Sequence, residues 1–273
     1  MNQITKNAAA MLKELRVKVP LVHNITNYVT VNDCANAVLA IGASPIMADD
    51  IAEAGDIASI ASALVINIGT LNQRTIASMI DAGKRANQAG VPVVLDPVGA
   101  GASKLRNETT QKLLAEVKLA VLRGNLSEVS FVAGLEVSTK GVDTSEADNR
   151  NDAVSIANEV AKKLGCVVAI TGAVDTISDG ENVAKIHNGH AMLSKVTGTG
   201  CMTSALVGSW CGACGGDYFT AAVGGVASMG ISGEIAYEKA GKEGTGSFHM
   251  AIIDALSQLD AGQFAERAKV DEK

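Results

Sequence analysis

The chain is predicted to fold as an α/β protein with a mainly parallel central sheet and a helical C-terminal third. Three features of its 273 residues point there. Short aliphatic and β-branched runs alternate with longer stretches of helical periodicity, the order that puts crossover helices on both faces of a parallel sheet. Hydrophobic residues make up 47% of the chain, enough for a large core and too many for disorder. No internal repeat or low-complexity linker interrupts the pattern, so residues 1–273 are expected to form a single domain.

Taken in order, Met1–Arg16 carries Lys6, Lys13, Glu14 and Arg16 among alanines and leucines, which suits an amphipathic surface helix rather than a secretory signal. The clearest strands are Leu64–Ile68, Val93–Leu95, Leu119–Leu122 and Val167–Ile170. Helical segments lie around Thr75–Asn87, Thr109–Val117 and Asp152–Leu164. Beyond Thr171, the short pieces Thr176–Ser178 and Val183–His187 read as an antiparallel edge. Three helical runs follow, Cys201–Cys214, Tyr218–Lys239 and Ser247–Arg267. The weakly polar stretch Tyr218–Ile235 contains many glycines and a glutamate, and reads as a packed helix, although composition alone also admits a membrane helix.

Composition narrows the function classes. Aromatic residues are only 3% of the chain, too few for a nucleic-acid surface built on stacking, and the net charge of −6 disfavours phosphate backbones and anionic membranes. Five cysteines without disulfide spacing fit a reducing cytoplasm, the expected location. Cys211-Gly-Ala-Cys214 reads as two small buried thiols, since no second pair or histidine pair accompanies it to make a zinc site.

Each predicted parallel strand runs into a polar or glycine-rich turn: Gly69-Thr70, Asp96-Pro-Val-Gly99, Arg123-Gly-Asn125 and Thr171-Gly172. In an open α/β sheet these carboxyl ends share one rim, where ligands bind. Asp96, Arg123, Asn125, Thr171 and Glu128 are therefore expected to cluster. Val196-Thr-Gly198-Thr-Gly200-Cys201, just ahead of an apolar helix, adds a glycine loop with free amides and a thiol at a helix N-terminus, a place that favours anions. Acids, a cation, hydroxyls and an anion hole are the inventory of metal-assisted phosphoryl transfer. No P-loop segment exists, and Gly99-Ala-Gly101 lacks the third glycine of a dinucleotide fingerprint, which would fall at Lys104.

These residues resemble the ribokinase-like superfamily. Gly198-Thr-Gly-Cys201 is similar to its anion-hole motif, whose fourth position is usually a catalytic aspartate, and Asn125-Leu-Ser-Glu128 is similar to its Asn-x-x-Glu. The branch with cysteine in that fourth place is the hydroxyethylthiazole kinases of thiamine salvage. Val22–Val29, Gly42–Met47, Asn67–Leu71, Asp96–Gly101 and Arg123–Glu128 resemble the same branch, and the likeness runs from about Pro20 to about Leu259. The resemblance implies a three-layer α/β/α ribokinase-like fold and phosphorylation of the primary alcohol of 4-methyl-5-(2-hydroxyethyl)thiazole, with ATP as co-substrate and Mg2+ as cofactor. It places Cys201 and Gly200 at the reacting groups, and Arg123, Thr171 and Asn125 on the nucleotide. Met47, Gly198 and Asn27 fall to the thiazole, and Asp96 and Glu128 to the metal. It also implies a homotrimer with active sites at subunit boundaries. Around Gly241–Phe248 the chain departs from the Gly-Pro-Gly-Ser-Phe expected of the branch, which leaves that loop without a role.

Simpler readings stand beside these. Cys201 can be an inert buried thiol, Asp96 a turn residue, Glu128 a helix-start acid, Arg123 a surface ion-pair partner and Met47 core filler. His23 reads as structural, and His187, His190 and His249 receive no role. Rival functions are another ribokinase-like small-alcohol kinase, a nucleotide-dependent dehydratase on the same scaffold, a cysteine hydrolase and a non-catalytic binding protein.

Overall fold

A computed structural model describes residues 2–135 and 146–272, with the side chains of 2–135 and 153–272. Met1 and the first residue of the expected Asp152–Leu164 helix, as a side chain, lie outside that description. Six strands run parallel: β1 (Leu21–Ile25), β2 (Ser44–Ile46), β3 (Ala63–Asn67), β4 (Val93–Asp96), β5 (Val121–Asn125) and β6 (Val167–Thr171). Three more, β7 (Asp175–Ser178), β8 (Val183–Ile186) and β9 (Val270–Glu272), add an antiparallel edge. The order across the sheet is β2-β1-β3-β4-β5-β6-β7-β8-β9.

Because successive side chains in a strand point to opposite faces, an apolar run must be covered on both sides. One face buries Leu64, Ile66, Leu95, Leu122 and Val168 beneath α3 (Ala54–Ile60), α4 (Gln73–Gln88), α5 (Lys104–Glu116), α6 (Leu126–Ala133) and α7 (Glu146–Leu164). The other buries Val22, Val65, Val94, Val121 and Ala169. It is covered by α1 (Gln3–Lys18), α2 (Val31–Ile41), α8 (Thr199–Cys211), α9 (Tyr218–Ala240), α10 (Thr245–Gln258) and α11 (Ala261–Arg267). The result is the expected three-layer α/β/α arrangement.

α8 crosses the middle of the sheet closely enough that a Cβ on Gly208 would lie 2.3 Å from Val65 Cγ2. α9 is long and apolar enough to cross a membrane by length and composition, but 83% of its apolar window is buried inside the protein. It is the core helix of the second layer.

The four apolar strands and the antiparallel edge appear where expected, within a few residues. Three details differ. Ser247–Arg267 is two helices, broken at Leu259-Asp260, because the Asp260 carboxylate accepts from Gln263 N (2.8 Å) and starts α11. α8 begins at Thr199 and stops at Cys211, leaving Cys214 in the following turn, and α5 begins at Lys104 rather than Thr109, with Ser103 as its cap. β1, β2 and β9 are additional strands. Their runs are interrupted by His23 and Asn24, by Pro45, and by Asp271 and Glu272, so no apolar run announces them.

Candidate active site

The parallel strands carry their carboxyl ends to one rim. Met47 follows β2, Asn27 follows β1, Asn67 ends β3, Asp96 ends β4, Arg123 lies near the end of β5 and Thr171 ends β6. α8 points its N-terminus at the same rim. Its cap residue, Gly198, has φ 89° and no side-chain cap, and a Cβ there would lie 2.5 Å from Thr30 Cγ2. Only glycine satisfies both demands. The leading amides of a helix have no acceptor within it, so this end presents free N–H groups to an anion.

Cys201 stands in the first turn of α8, half-buried, and is tied to the sheet by asparagines. Asn27 Nδ2 donates to Cys201 Sγ (3.2 Å) and to Asn67 Oδ1 (3.1 Å). Thr30 fixes the other end of that amide, donating to Asn27 Oδ1 from both its backbone N and its hydroxyl (3.1 Å each). Asn67 Nδ2 in turn donates to Asp96 Oδ2 (2.8 Å), which also accepts from Ser204 Oγ (2.7 Å). A continuous polar relay thus joins the thiol to the acid.

Asp96 is fully buried, and Arg123 Nη1 lies 3.5 Å from its Oδ2. Burial pushes the carboxyl up to about 6, with the opposing pull of Arg123 and the hydrogen bonds from Ser204 and Asn67 set against the repulsion of Glu128. Arg123 Nη2 donates to Thr171 Oγ1 (2.5 Å), and a Cβ on Gly200 would come within 3.0 Å of Nη1. Glycine at 200 therefore lets the helix end lie against the guanidinium. Of the expected cluster, Asp96, Arg123 and Thr171 are in contact, with Gly200 against Arg123 and with Cys201 joined to them through Asn27 and Asn67.

Glu128 and Asn125 are placed beside it as a reciprocal cap of α6. Asn125 Oδ1 accepts from Glu128 N (2.9 Å), and Glu128 Oε2 accepts from Asn125 N (2.8 Å). Glu128 Oε1 accepts from Gly99 N (2.8 Å), so one carboxylate laces the turn after β4 to the end of β5. The Asn125 Oδ1 thereby caps α6. Met47, at the sheet edge, is half-buried and packs against the same core as the Cys201 side chain.

Asp96 Oδ1 is buried without any hydrogen-bond partner. A hard anionic oxygen left open beside an arginine and a glutamate suits Mg2+ or one of its waters. Among the described residues no cluster of three His, Cys, Asp or Glu is present.

Beyond Arg123, a cavity of about 600 Å³ opens between the β6–β7 turn, the segment before α8 and the flank of α9. Arg123, Thr171, Asp175, His190, Gly200 and Met229 line it. Its size is that of a small-molecule site. Asn67, Ser204, Thr30 and Asp175 are the functional positions that sequence reasoning did not single out. Asn67 carried a signal, since it ends an apolar strand as Asp96 does. Ser204 lies three residues from Cys201, on the same face of α8.

The remaining motifs resolve simply. His23 Nε2 bonds Ala48 O (2.7 Å), a structural role. His187 pairs with Asp271 (2.9 Å), His249 lies 3.1 Å from Asp33, and His190 stacks on Tyr237. Cys211 is buried and Cys214 half-buried, both free, with Cys214 Sγ donating to Cys211 O (3.2 Å). In the departing loop, Gly244 (φ 118°) leads α10, and Phe248 is fully buried.

Comparison with known proteins agrees with this geometry. The hydroxyethylthiazole kinase family matches residues 12–262. Hydroxyethylthiazole kinase from Ruminiclostridium cellulolyticum is 67% identical over the whole of both chains. That from Clostridium beijerinckii is 64% identical over 99% of each. The solved structure of the hydroxyethylthiazole kinase protein from Pyrococcus horikoshii OT3 superposes with a TM-score of 0.88 at 39% identity, covering 97% of this chain and 98% of that one. A ribokinase-like superfamily protein from Enterococcus faecalis shares the fold at 11% identity, with a TM-score of 0.60 over 90% of this chain and 89% of its own. Over nearly its full length, this chain belongs to the hydroxyethylthiazole kinase family.

Proposed function

We propose that the protein transfers the γ-phosphoryl group of ATP to the hydroxyl of 4-methyl-5-(2-hydroxyethyl)thiazole, in thiamine salvage. The observation that carries this reading is the relay from Cys201 through Asn27 and Asn67 to the Asp96–Arg123 pair, at the helix end beside an open cavity. In this reading the alcohol lies against Cys201, bordered by Asn27, Gly198 and Met47. The triphosphate occupies the cavity against Arg123 and Thr171.

Phosphoryl transfer of this kind has a loose transition state, so catalysis comes from placement and charge neutralisation more than from a strong base. Because Asn27 donates to its sulfur, Cys201 acts as an acceptor that orients the substrate O–H toward phosphorus. The hydroxyl oxygen forms the new P–O bond as the bridging oxygen leaves with ADP, and the proton departs by way of the sulfur or the phosphate oxygens. The amides of residues 198–201 and the Arg123 guanidinium take the charge on the moving group. Asp96 and Glu128 would hold Mg2+, which supplies further neutralisation of the phosphates when bound. Cytoplasmic location and a homotrimer whose boundaries complete the thiazole pocket belong to the same reading.

The test is ADP release measured with a coupled assay. Release should require both the thiazole alcohol and Mg2+. Equal release with the alcohol omitted, or a preference for an unrelated alcohol across a substrate panel, would overturn the assignment.

A further inference from the structure

Asp175 is the one buried acid of the cavity that the transfer step does not use. It starts β7, directly after the β6–β7 turn, and is only 8% exposed. Its Oδ1 accepts from Gly172 N (2.9 Å), which fixes the turn carrying Thr171, the residue whose hydroxyl binds Arg123. The carboxyl also lines the cavity wall itself. On its face of β7 it stands opposite Ile186 of β8, while Lys185 is paired with Thr176 on the other face. α9 presents Val226, Met229 and Gly230 to the cavity, none of them charged. From α7, Asn158 reaches Ser178 at the far end of the strand. His190 lines the cavity from the segment before α8, with its Nδ1 accepting from Met192 N (3.1 Å). Arg123 of β5 lines the same cavity, and its charge acts on Asp175 as well as on Asp96 of β4, whose Oδ2 is 3.5 Å from Nη1.

One guanidinium thus serves two buried carboxylates. Burial pushes the Asp175 carboxyl up to about 7, and the Gly172 amide and Arg123 hold it from rising further. A polyphosphate that engages Arg123 brings negative charge into the cavity and draws away the field that keeps Asp175 ionised. Both effects favour the neutral acid.

We propose that Asp175 is a positioning residue of the nucleotide site, one that holds the Thr171 turn and takes up a proton when a nucleoside polyphosphate engages Arg123. This rests on the kinase reading above. Uptake removes a repulsion between two anions, and it makes nucleotide affinity fall as pH rises through the range where Asp175 ionises in the complex.

The experiment is calorimetric titration of the intact protein with ADP and Mg2+ at pH 8, in Tris and in Hepes, whose different ionisation heats report protons exchanged. At that pH the nucleotide phosphates are already ionised and cannot supply the signal, since such groups titrate near pH 6. Wild-type protein should take up a fraction of a proton per nucleotide. Asp175→Asn, which keeps an oxygen for the Gly172 amide, should bind ADP with uptake cut about threefold or more. Should the asparagine variant not fold, Asp175→Ser is read in the same way. Binding by the wild type without uptake overturns this proposal and leaves the kinase reading intact, as does full uptake by the Asp175 variant. Absence of ADP binding overturns both.

Discussion

At the scale of single residues, the site turns on what Asn27 does to Cys201. Asn27 Nδ2 donates to the Cys201 sulfur (3.2 Å), and in the proposed reaction the thiol is a directional partner of the substrate hydroxyl. Replacing Cys201 by Ala should therefore lower turnover by about 100-fold, while ADP affinity in the same protein changes by less than about threefold. Equal loss of turnover and affinity, or no loss, would remove the residue from this role. Cys201→Asp should keep or raise turnover, since a carboxylate accepts the same O–H. Much of this chemistry was legible in the sequence. Asp96, Arg123 and Thr171 each follow an apolar run, and Gly198 and Cys201 sit in a glycine-rich loop. Asn67 carried the same strand-end signal, whereas Ser204 and Asp175 were not legible, because a single polar residue beside an apolar segment looks the same whether it caps, packs or binds. Asn125 was visible by its motif, and its Oδ1 caps α6.

At the scale of elements, α8 is the piece that completes the rim, because it brings the free amides and the thiol to the ends of β1–β5, strands more than 70 residues before it in sequence, and of the nearer β6. Its seat depends on Gly208 lying against Val65. Gly208→Val forces side-chain atoms into a contact already at 2.3 Å for a bare Cβ, and should cost ~2 kcal/mol or more of stability, read as a lower urea midpoint. An unchanged midpoint would mean that α8 does not bear on β3 as described. Strands such as β3 and β6 were visible from sequence because a fully covered strand has nothing to gain from polar residues. β1 was not, because polar residues interrupt it; each finds a partner for one atom in the folded chain, His23 Nε2 with Ala48 O (2.7 Å) and Asn24 Nδ2 with Val22 O (3.1 Å), while His23 Nδ1 and Asn24 Oδ1 are buried without one. The break before α11 was missed for a related reason, since Asp260 acts as a cap only once Leu259 is buried.

At the scale of the whole molecule, the thiazole side of the site opens onto an apolar surface. Tyr28 and Val29, immediately after Asn27, are 79% and 56% exposed. In the proposed homotrimer a neighbouring chain covers these side chains. Light scattering then gives the mass of three chains, and Tyr28→Asp should shift the mass downward and weaken thiazole binding more than ADP binding. A monomeric wild type with full activity would remove the neighbour from the site. The position of α8 has a last consequence, for synthesis. Translation delivers all six parallel strands before residue 208 emerges, and at ribosomal speed the gap from Thr171 lasts roughly a few seconds. Until then the residue that packs against Val22 and Val65 in the folded protein has not been made. A chain that stopped before Thr199 would leave this apolar face of the sheet open to water.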